Sequence, residues 1–432
     1  MNLINAASIS EHSHAPSRFA ILTHGSMQIL ITLVCGVIAP VLLYALLNPA
    51  GMSATDTVRL TIMLSLIATF SAVILLTRMI RYPGVSYAGT ILPVFGSTYG
   101  IIIAALLVMR ESYSNSILFL CFACSVAIQY AIAARLGRAA NPIHHLVPGG
   151  RVSELINLRD CNAKIWGSPD APLPHRAIVV ADLHFDHNDE WERRIATAAL
   201  DGVPIYHYKQ VQESLTGRVQ IDHLSENVLG SLIPSNGYHG LKRATDILIS
   251  LLVLPVLLPM LAVSAVAIKL DSPGPVFFRQ HRVGFRAKQF RILKFRTMRV
   301  SQQRPDIHAA KTISDDERIT RVGRFLRRTR IDELPQIWNI LCGDMSWIGP
   351  RPEALSLSEW YAKEIPFYAY RHIVRPGISG WAQVNQGHVT ELEDIHAKLQ
   401  YDFFYIKHFS YWLDIIIAVR TAGVILNGFG AK

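Results

Sequence analysis

Four long stretches without a charged residue, Phe19–Thr55, Leu60–Thr77, Tyr82–Met109 and Ser112–Ala134, constrain this 432-residue chain more than any other feature. Each contains or approaches the ~20 apolar residues that cross about 30 Å of hydrocarbon as a helix. Strands are excluded for isolated spans, because every unpaired backbone group in lipid costs several kcal/mol. A four-span helical bundle over residues 1–140 is therefore expected. The first stretch is too long for a cleavable leader and no small-residue cleavage site follows it. Arg18, Arg78, Arg81, Arg135 and Arg138 flank one side of the bundle, against only Arg59 and Arg110 on the other. The positive-inside bias then places both ends of the bundle in the cytoplasm. Cys35, Cys121 and Cys124 lie within spans and Cys161 and Cys342 in a reducing compartment, so no disulfide is expected.

Charge is divided unevenly. Residues 1–240 hold 15 basic and 15 acidic residues, and residues 241–432 hold 27 and 17. The whole net charge of +10 thus sits in the C-terminal part. A neutral, apolar front followed by a basic back reads as an anchor preceding something that meets anions.

Residues 141–240 form a small Rossmann-like βαβ region and linker. Ala177–Leu183 is a buried-strand run, Glu190–Leu200 a polar helical pattern and Pro204–Tyr208 a second strand. No glycine-rich phosphate fingerprint accompanies them. Asp182, His184, Asp186, His187 and Asp189 resemble metal ligands in type, but the favoured reading is decoration of a strand end and a helix N-terminus. Ser225–Gly240 reads as the linker.

Ile247–Ile268 is a fifth charge-free run, interrupted by Pro255 and Pro259. Both flanks are basic: Lys242 and Arg243 precede it, and Lys269, Arg279, Arg282 and Arg286 come after. A simple crossing would carry the most basic part of the chain outward. A bent helix that enters and leaves one leaflet satisfies both the prolines and the charge. It would also hold the C-terminal domain against anionic lipid.

The chemistry is concentrated beyond that run. Asp271-Ser-Pro-Gly-Pro-Val-Phe-Phe-Arg-Gln-His-Arg-Val-Gly284 is followed by Phe290-Arg-Ile-Leu-Lys-Phe-Arg-Thr-Met298. Arg318-Ile-Thr-Arg-Val-Gly-Arg-Phe-Leu-Arg-Arg-Thr-Arg-Ile-Asp-Glu-Leu-Pro-Gln336 comes next. Gly343-Asp-Met-Ser-Trp-Ile-Gly-Pro-Arg-Pro352 and Arg375-Pro-Gly-Ile-Ser-Gly-Trp-Ala-Gln-Val-Asn385 complete the set. Asp332-Glu333-Leu334-Pro335 opens a short helical pattern ending at Gly343, which puts Asp332 at or near an N-cap, where it should stay ionised. An ionised carboxylate can attack phosphorus. Adjacent helical positions diverge, so Asp332 and Glu333 are not expected to share one task. Arg321, Arg324 and Arg328 fall on one helical face, and such guanidiniums suit phosphate oxygens or lipid headgroups. Arg351, held between two prolines, is grouped with Lys294 and Arg296 as a diphosphate holder. Trp381 and Asn385 are candidate uridine or sugar contacts, with a packed tryptophan the equal alternative. The tail Gln400–Leu413 reads as an interfacial amphipathic helix.

These five motifs, in this order over residues 241–432, resemble the bacterial sugar transferase family of monotopic polyprenyl-phosphate hexose-1-phosphate transferases. The front half resembles the layout of the larger members that start exopolysaccharide or O-antigen units. The resemblance implies a mainly α catalytic domain with a re-entrant membrane helix over residues 242–270, marked by Lys242, Arg243, Asp246 and Pro259. Leu258 stands where some members have serine. It also implies Asp332 and Glu333 as a catalytic acidic pair; of the two, Asp332 is read as the nucleophile and Mg²⁺ ligand and Glu333 as a metal or proton-handling partner. The substrates implied are a UDP-sugar (glucose first, galactose second) and undecaprenyl phosphate, in the bacterial inner membrane with catalysis on the cytoplasmic face. A homo-oligomer is left open. A non-catalytic scaffold for polysaccharide assembly is the alternative. Nucleic acid is disfavoured by the spans and by the single aromatic, Phe325, among the arginines. A transporter is disfavoured because no charge lies within the spans.

Overall fold

The computed structural model describes residues 24–49, 55–80, 82–83, 85–139, 143–158, 161–174, 177–221, 236–299, 318–386 and 392–427. The chain divides into two compact units, Met1–Gly217 and Arg218–Lys432.

In the first unit, four long apolar helices come first: α1 (Gly25–Leu47), α2 (Thr55–Met79), α3 (Tyr87–Met109) and α4 (Asn115–Ala139). Each carries a segment long and apolar enough to cross a membrane. Their mutual contacts are not purely apolar. Gln129 donates to Thr32 (2.8 Å), Tyr87 donates to Gln129 (2.9 Å), and Thr69 pairs with Tyr99 (2.8 Å). Gln28, Thr32, Thr61, Ser65, Thr69, Ser125 and Gln129 are all buried, so a hydrogen-bonded seam runs between the helices while leucines such as Leu46 and Leu107 face outward. Where the surroundings are as apolar as leucine, helices associate through small and polar residues instead.

Next comes a four-stranded parallel sheet of β1 (His144–Leu146), β2 (Ala163–Ile165), β3 (Ile178–Ala181) and β4 (Ile205–His207), in the order β2-β1-β3-β4. Helix α5 (Asp189–Leu200) connects β3 to β4, as the βαβ pattern predicts, and α6 (Tyr208–Thr216) comes after β4. Asn188, not an aspartate, caps α5 by accepting the Trp191 N–H. Asp182 accepts the N–H groups of Arg151 and His184, tying the β1 and β3 loops together. Asp182, His184 and His207 bring ligand-type atoms within 4.8 Å of one another. However, His207 Nδ1 accepts the Lys209 N–H, which leaves the proton on Nε2, 2.9 Å from His184 Nδ1. A ring in that tautomer has no lone pair at Nε2 for a metal.

Most of the expected linker Ser225–Gly240 falls in residues 222–235, which lie outside the described set; the first helix of the second unit beyond them is continuous, α7 (Asn236–Asp271), 36 residues long. The helix starts in what reads as linker and contains both Pro255 and Pro259. Lys242, Asp246, Ser250, Leu257, Ser264 and Ile268 are its buried positions, spaced by four or seven, so a single stripe faces the rest of the unit. Both ends pack on the same unit. Asp246 accepts from Ser346 Oγ and the Trp347 N–H, and near the other end Ile268 packs with Phe295 and Leu326.

An antiparallel hairpin, β5 (Phe277–Val283) and β6 (Gln289–Phe295), succeeds it. Then come α8 (Arg321–Arg328), a 3₁₀ turn over Ile331–Gln336, α9 (Ile337–Cys342), β7 (Ser346–Ile348) and α10 (Leu355–Glu364). Strand β8 (Gly377–Ser379) pairs parallel with β7, and α11 (Trp381–Asn385), α12 (Leu392–Lys407) and α13 (Tyr411–Asn427) complete the fold. The aromatic tail is a correction to the sequence reading. Tyr401, Phe403, Phe404, Tyr405 and Phe409 are buried in the unit's core, not laid on an interface. All five cysteines are free thiols.

Candidate active site

Three elements bring the sequence's best candidates together: β6, the 3₁₀ turn and the loop after β7. Lys294 lies on β6 opposite Phe278. That strand is fixed to α9 by Asn339, whose side chain accepts the Leu293 N–H (3.0 Å) and donates to Arg291 O (2.8 Å). The 3₁₀ turn opens with Arg330 in the left-handed region (φ 60°) as its cap residue. Asp332 is therefore inside the first turn and not at the cap. Gly343, at φ 93°, closes α9 as the spacing predicts.

The loop bearing Arg351 is placed by glycines. A Cβ at Gly377 would lie 2.1 Å from Gly349 N, and one at Gly380 2.3 Å from Gly349 O. Only glycine permits this backbone crossing, which explains both glycine-rich motifs. Two guanidiniums that the sequence reading did not assign to the site then clamp the Pro-Arg-Pro turn. Arg371 donates to Arg351 O (2.9 Å) and Arg282 to Pro352 O (3.0 Å). Arg371 is itself buried and paired with Asp402 (2.8 Å), and Glu353 pairs with Lys398. The signal for Asp402 was a lone carboxylate within an aromatic run, which in a core requires a cation.

At the centre, Glu333 receives Lys294 Nζ at 2.8 Å and Arg351 Nη2 at 2.6 Å on one oxygen, and Arg351 Nη1 at 3.3 Å on the other. Burial pushes the Glu333 carboxyl up, but Arg351 and Lys294 outweigh it and hold it well below the usual carboxylate range. Asp332 is the opposite case. Burial and the neighbouring Glu333 charge raise its pKa, against the pull of Lys294, Arg351 and Arg327. No hydrogen bond or ion pair to its carboxylate is present among the described residues. The two acids are thus physically distinct: one is locked in an ion network, and the other is half-buried with its oxygens uncommitted.

That carboxylate fits a hard divalent cation. Mg²⁺ is held by one or two carboxylates together with substrate phosphates, and Asp332 supplies one such donor in a place where its negative charge is under-compensated.

Other expected site residues are placed elsewhere. Arg296 donates to Ser272 O, Ser272 Oγ and Pro273 O and is buried, so it latches the loop after α7 and does not offer its fork to a diphosphate. Trp381 is 1 % exposed, stacks on Phe404 and carries Arg420 over its ring. Asn385 donates to Trp381 O and accepts from Arg420, so both of its polar atoms are spent inside the fold. The packed alternative is the one realised. Arg324 and Arg328 are exposed on α8, on the face that also bears Arg321, while Arg327 turns inward and donates to Thr297 Oγ1. On α7, Lys242 pairs with Asp414 (2.5 Å), and Arg243 donates to the Ile340 and Leu341 carbonyls.

Residues 237–428 match the bacterial sugar transferase family. Over 361 residues, 83% of this chain and 85% of the relative, the sequence is 45% identical to UDP-N-acetylgalactosamine-undecaprenyl-phosphate N-acetylgalactosaminephosphotransferase of Aeromonas hydrophila. It is 44% identical over 194 residues to UDP-glucose:undecaprenyl-phosphate glucose-1-phosphate transferase of Escherichia coli, covering 44% of this chain and 41% of that protein. A UDP-galactose-lipid carrier transferase of Erwinia amylovora is 31% identical over 290 residues, 62% of this chain and 58% of its own length. The buried Lys294–Glu333–Arg351 network, the adjacent uncommitted Asp332 and these matches identify the chain as a membrane protein of the bacterial sugar transferase family.

Proposed function

We propose that the protein transfers hexose-1-phosphate from a UDP-sugar to undecaprenyl phosphate, releasing UMP, as the first step of a surface polysaccharide repeat unit. One observation carries the reading: a half-buried, uncommitted Asp332 beside an acid whose two partners are phosphate-binding residue types. In the first step an Asp332 oxygen attacks the β-phosphorus of the UDP-sugar. The bond from that phosphorus to the bridging oxygen breaks, and the electron pair leaves with UMP. In the second step a phosphate oxygen of the lipid displaces the Asp332 carboxylate and forms the undecaprenyl diphosphate sugar. Glu333 holds Lys294 and Arg351 in position, and the remaining N–H groups of those cations steady the phosphoryl oxygens as charge shifts. Mg²⁺ at Asp332, when bound with the diphosphate, would neutralise charge on the leaving phosphate.

The membrane path of α7 belongs to the same proposal. Both ends of the helix pack on one catalytic unit, and both flanks are basic. A re-entrant course, with the unit on the cytoplasmic face of the inner membrane and α1–α4 as separate spans, reconciles these facts.

For the sugar, the sequence reading favours glucose and then galactose. Two of these relatives match beyond the catalytic part: the one aligned over 83% of this chain is named for N-acetylgalactosamine and the one aligned over 62% for galactose, and the longer, 45% identical match makes N-acetylgalactosamine the leading second reading. The purified chain, supplied with undecaprenyl phosphate, Mg²⁺ and each radiolabelled UDP-sugar in turn, should pass label to lipid from one of these donors. Absence of transfer from every UDP-hexose and UDP-N-acetylhexosamine would leave the scaffold reading in its place.

A further inference from the structure

The second unit holds a basic cavity of about 620 Å³ that includes none of Asp332, Glu333, Lys294 or Arg351. Its walls include Arg243 and His239 from the first turns of α7, Phe285 and Arg286 from the β5–β6 turn, and Arg375 before β8. No carboxylate lines it.

Three features distinguish this cavity from an ordinary basic surface. The first is unspent donors. Arg375 gives Nε to Gly343 O and lies over the Phe285 ring, leaving both terminal nitrogens without an acceptor among the described residues. Arg286 has the same ring as its contact and no acceptor among the described residues. The second is like charge. Burial lowers the pKa of Arg375 and the Arg243 cation lowers it further; Asp246, which does not line the cavity, pulls the other way, and Arg286 again lowers it. Three guanidiniums thus share a cavity that has no carboxylate in its own wall, and an anion there would relieve their repulsion. The third is backbone cost. Arg286 (φ 54°, ψ 39°) and Ala287 (φ 58°) both sit in the left-handed region at the centre of the hairpin turn. That turn type selects Asn-Gly, and an Arg-Ala pair there holds an unfavourable conformation. Turn chemistry does not explain the arginine; its guanidinium over the cavity does.

We propose that this cavity binds the phosphate of an anionic phospholipid, at a site separate from the catalytic carboxylates and at the foot of the membrane helix. The ligand chemistry is a phosphate oxyanion, which forked guanidiniums recognise. The lipid source is set by position, because His239, Gly240 and Arg243 belong to the start of α7 and the apolar Phe285 and Ile373 share the wall. The assignment rests on the membrane seating of α7 and not on the transfer chemistry.

The test uses the full chain in uncharged detergent, titrated with short-chain phosphatidylglycerol while thermal unfolding is followed. A saturable rise in Tm is expected, insensitive to excess UMP. Arg286→Asn should fold at least as stably, because Asn suits the left-handed turn, yet bind the lipid about tenfold more weakly, as loss of one charge-assisted contact requires. Arg375→Gln should behave likewise in binding. Transfer activity measured separately distinguishes loss of this site from failure of the catalytic reading. Unchanged affinity in Arg286→Asn would overturn the assignment. Competition by UMP would make the cavity part of the catalytic site, and equal competition by inorganic phosphate would make its ligand a soluble anion; either result contradicts the lipid site.

Discussion

Removing the charge of Glu333 tests whether the site is organised as an ion network. In Glu333→Gln the shape survives, but Lys294 and Arg351 lose their shared carboxylate while remaining largely buried, at 15% and 26% side-chain exposure. Breaking a buried pair on one side costs about 3–5 kcal/mol. Because Arg351 retains a quarter of its exposure, the lower end, about 3 kcal/mol, is expected. For a unit of this size that corresponds to a fall in Tm of about 6–12 °C. Tryptophan fluorescence is a suitable probe, since five of the seven tryptophans (338, 347, 360, 381 and 412) belong to Arg218–Lys432. Lys294→Met combined with Glu333→Gln should recover part of the loss, with a coupling of about 1–3 kcal/mol. The pH dependence has a defined sign. Glu333 is held below its unfolded value of 4.5, so its stabilisation is complete above that pH and fades as pH falls toward the folded value. The gap between wild type and variant should therefore narrow in acid. A neutral-pH Tm within about 2 °C of wild type, less than 1 kcal/mol, would refute the network as the organising element.

Three further outcomes rest on the geometry. Ala287→Gly should stabilise the second unit by about 1 kcal/mol, read from Tm, because it relieves a left-handed alanine at φ 58°. Gly377→Ala should cost about 3 kcal/mol or more and abolish transfer, since its Cβ would meet the Gly349 backbone at 2.1 Å. Single cysteines at the exposed positions Gly237 and Pro275, in an otherwise cysteine-free chain, should both react only from the cytoplasmic side; periplasmic labelling of position 275 would establish a crossing by α7.

The long helices were legible because charge-free runs of that length have few alternatives. The buried polar seam through Thr32, Tyr87 and Gln129 was not, since isolated polar residues in such runs carry no visible pairing. Strands β1 and β2 span three residues each and stand outside any helix-flanking pattern, whereas β3 and α5 stood out by pattern and the equally short β4 was legible as the apolar run that follows α5. At the site, Asp332, Glu333, Lys294 and Arg351 were named from their motifs and lie together. Arg296 and Asn385 sit in the same motifs but spend their polar groups within the fold, and Trp381 is packed against Phe404. A linear motif records which residues travel together, not which side of the backbone each one uses. Arg371 and Arg282 were missed for the converse reason: their task is to hold the Arg351 turn, which is visible only once that turn is folded.

The most direct test of the central claim is UMP release in the absence of lipid acceptor. With UDP-sugar and Mg²⁺ alone, wild-type enzyme should release about one equivalent of UMP per active site and retain the sugar phosphate on protein, with ping-pong kinetics in the full reaction. Asp332→Asn should abolish both the burst and turnover. It should fold at least as well as wild type at neutral pH, because burial and Glu333 raise the Asp332 pKa and make its ionised form a cost to the fold. A burst that vanishes in a fully folded Asp332→Asn enzyme is the predicted result. Competent wild-type enzyme that releases no UMP until lipid phosphate is added, or an Asp332→Asn enzyme with near-normal turnover, would contradict it.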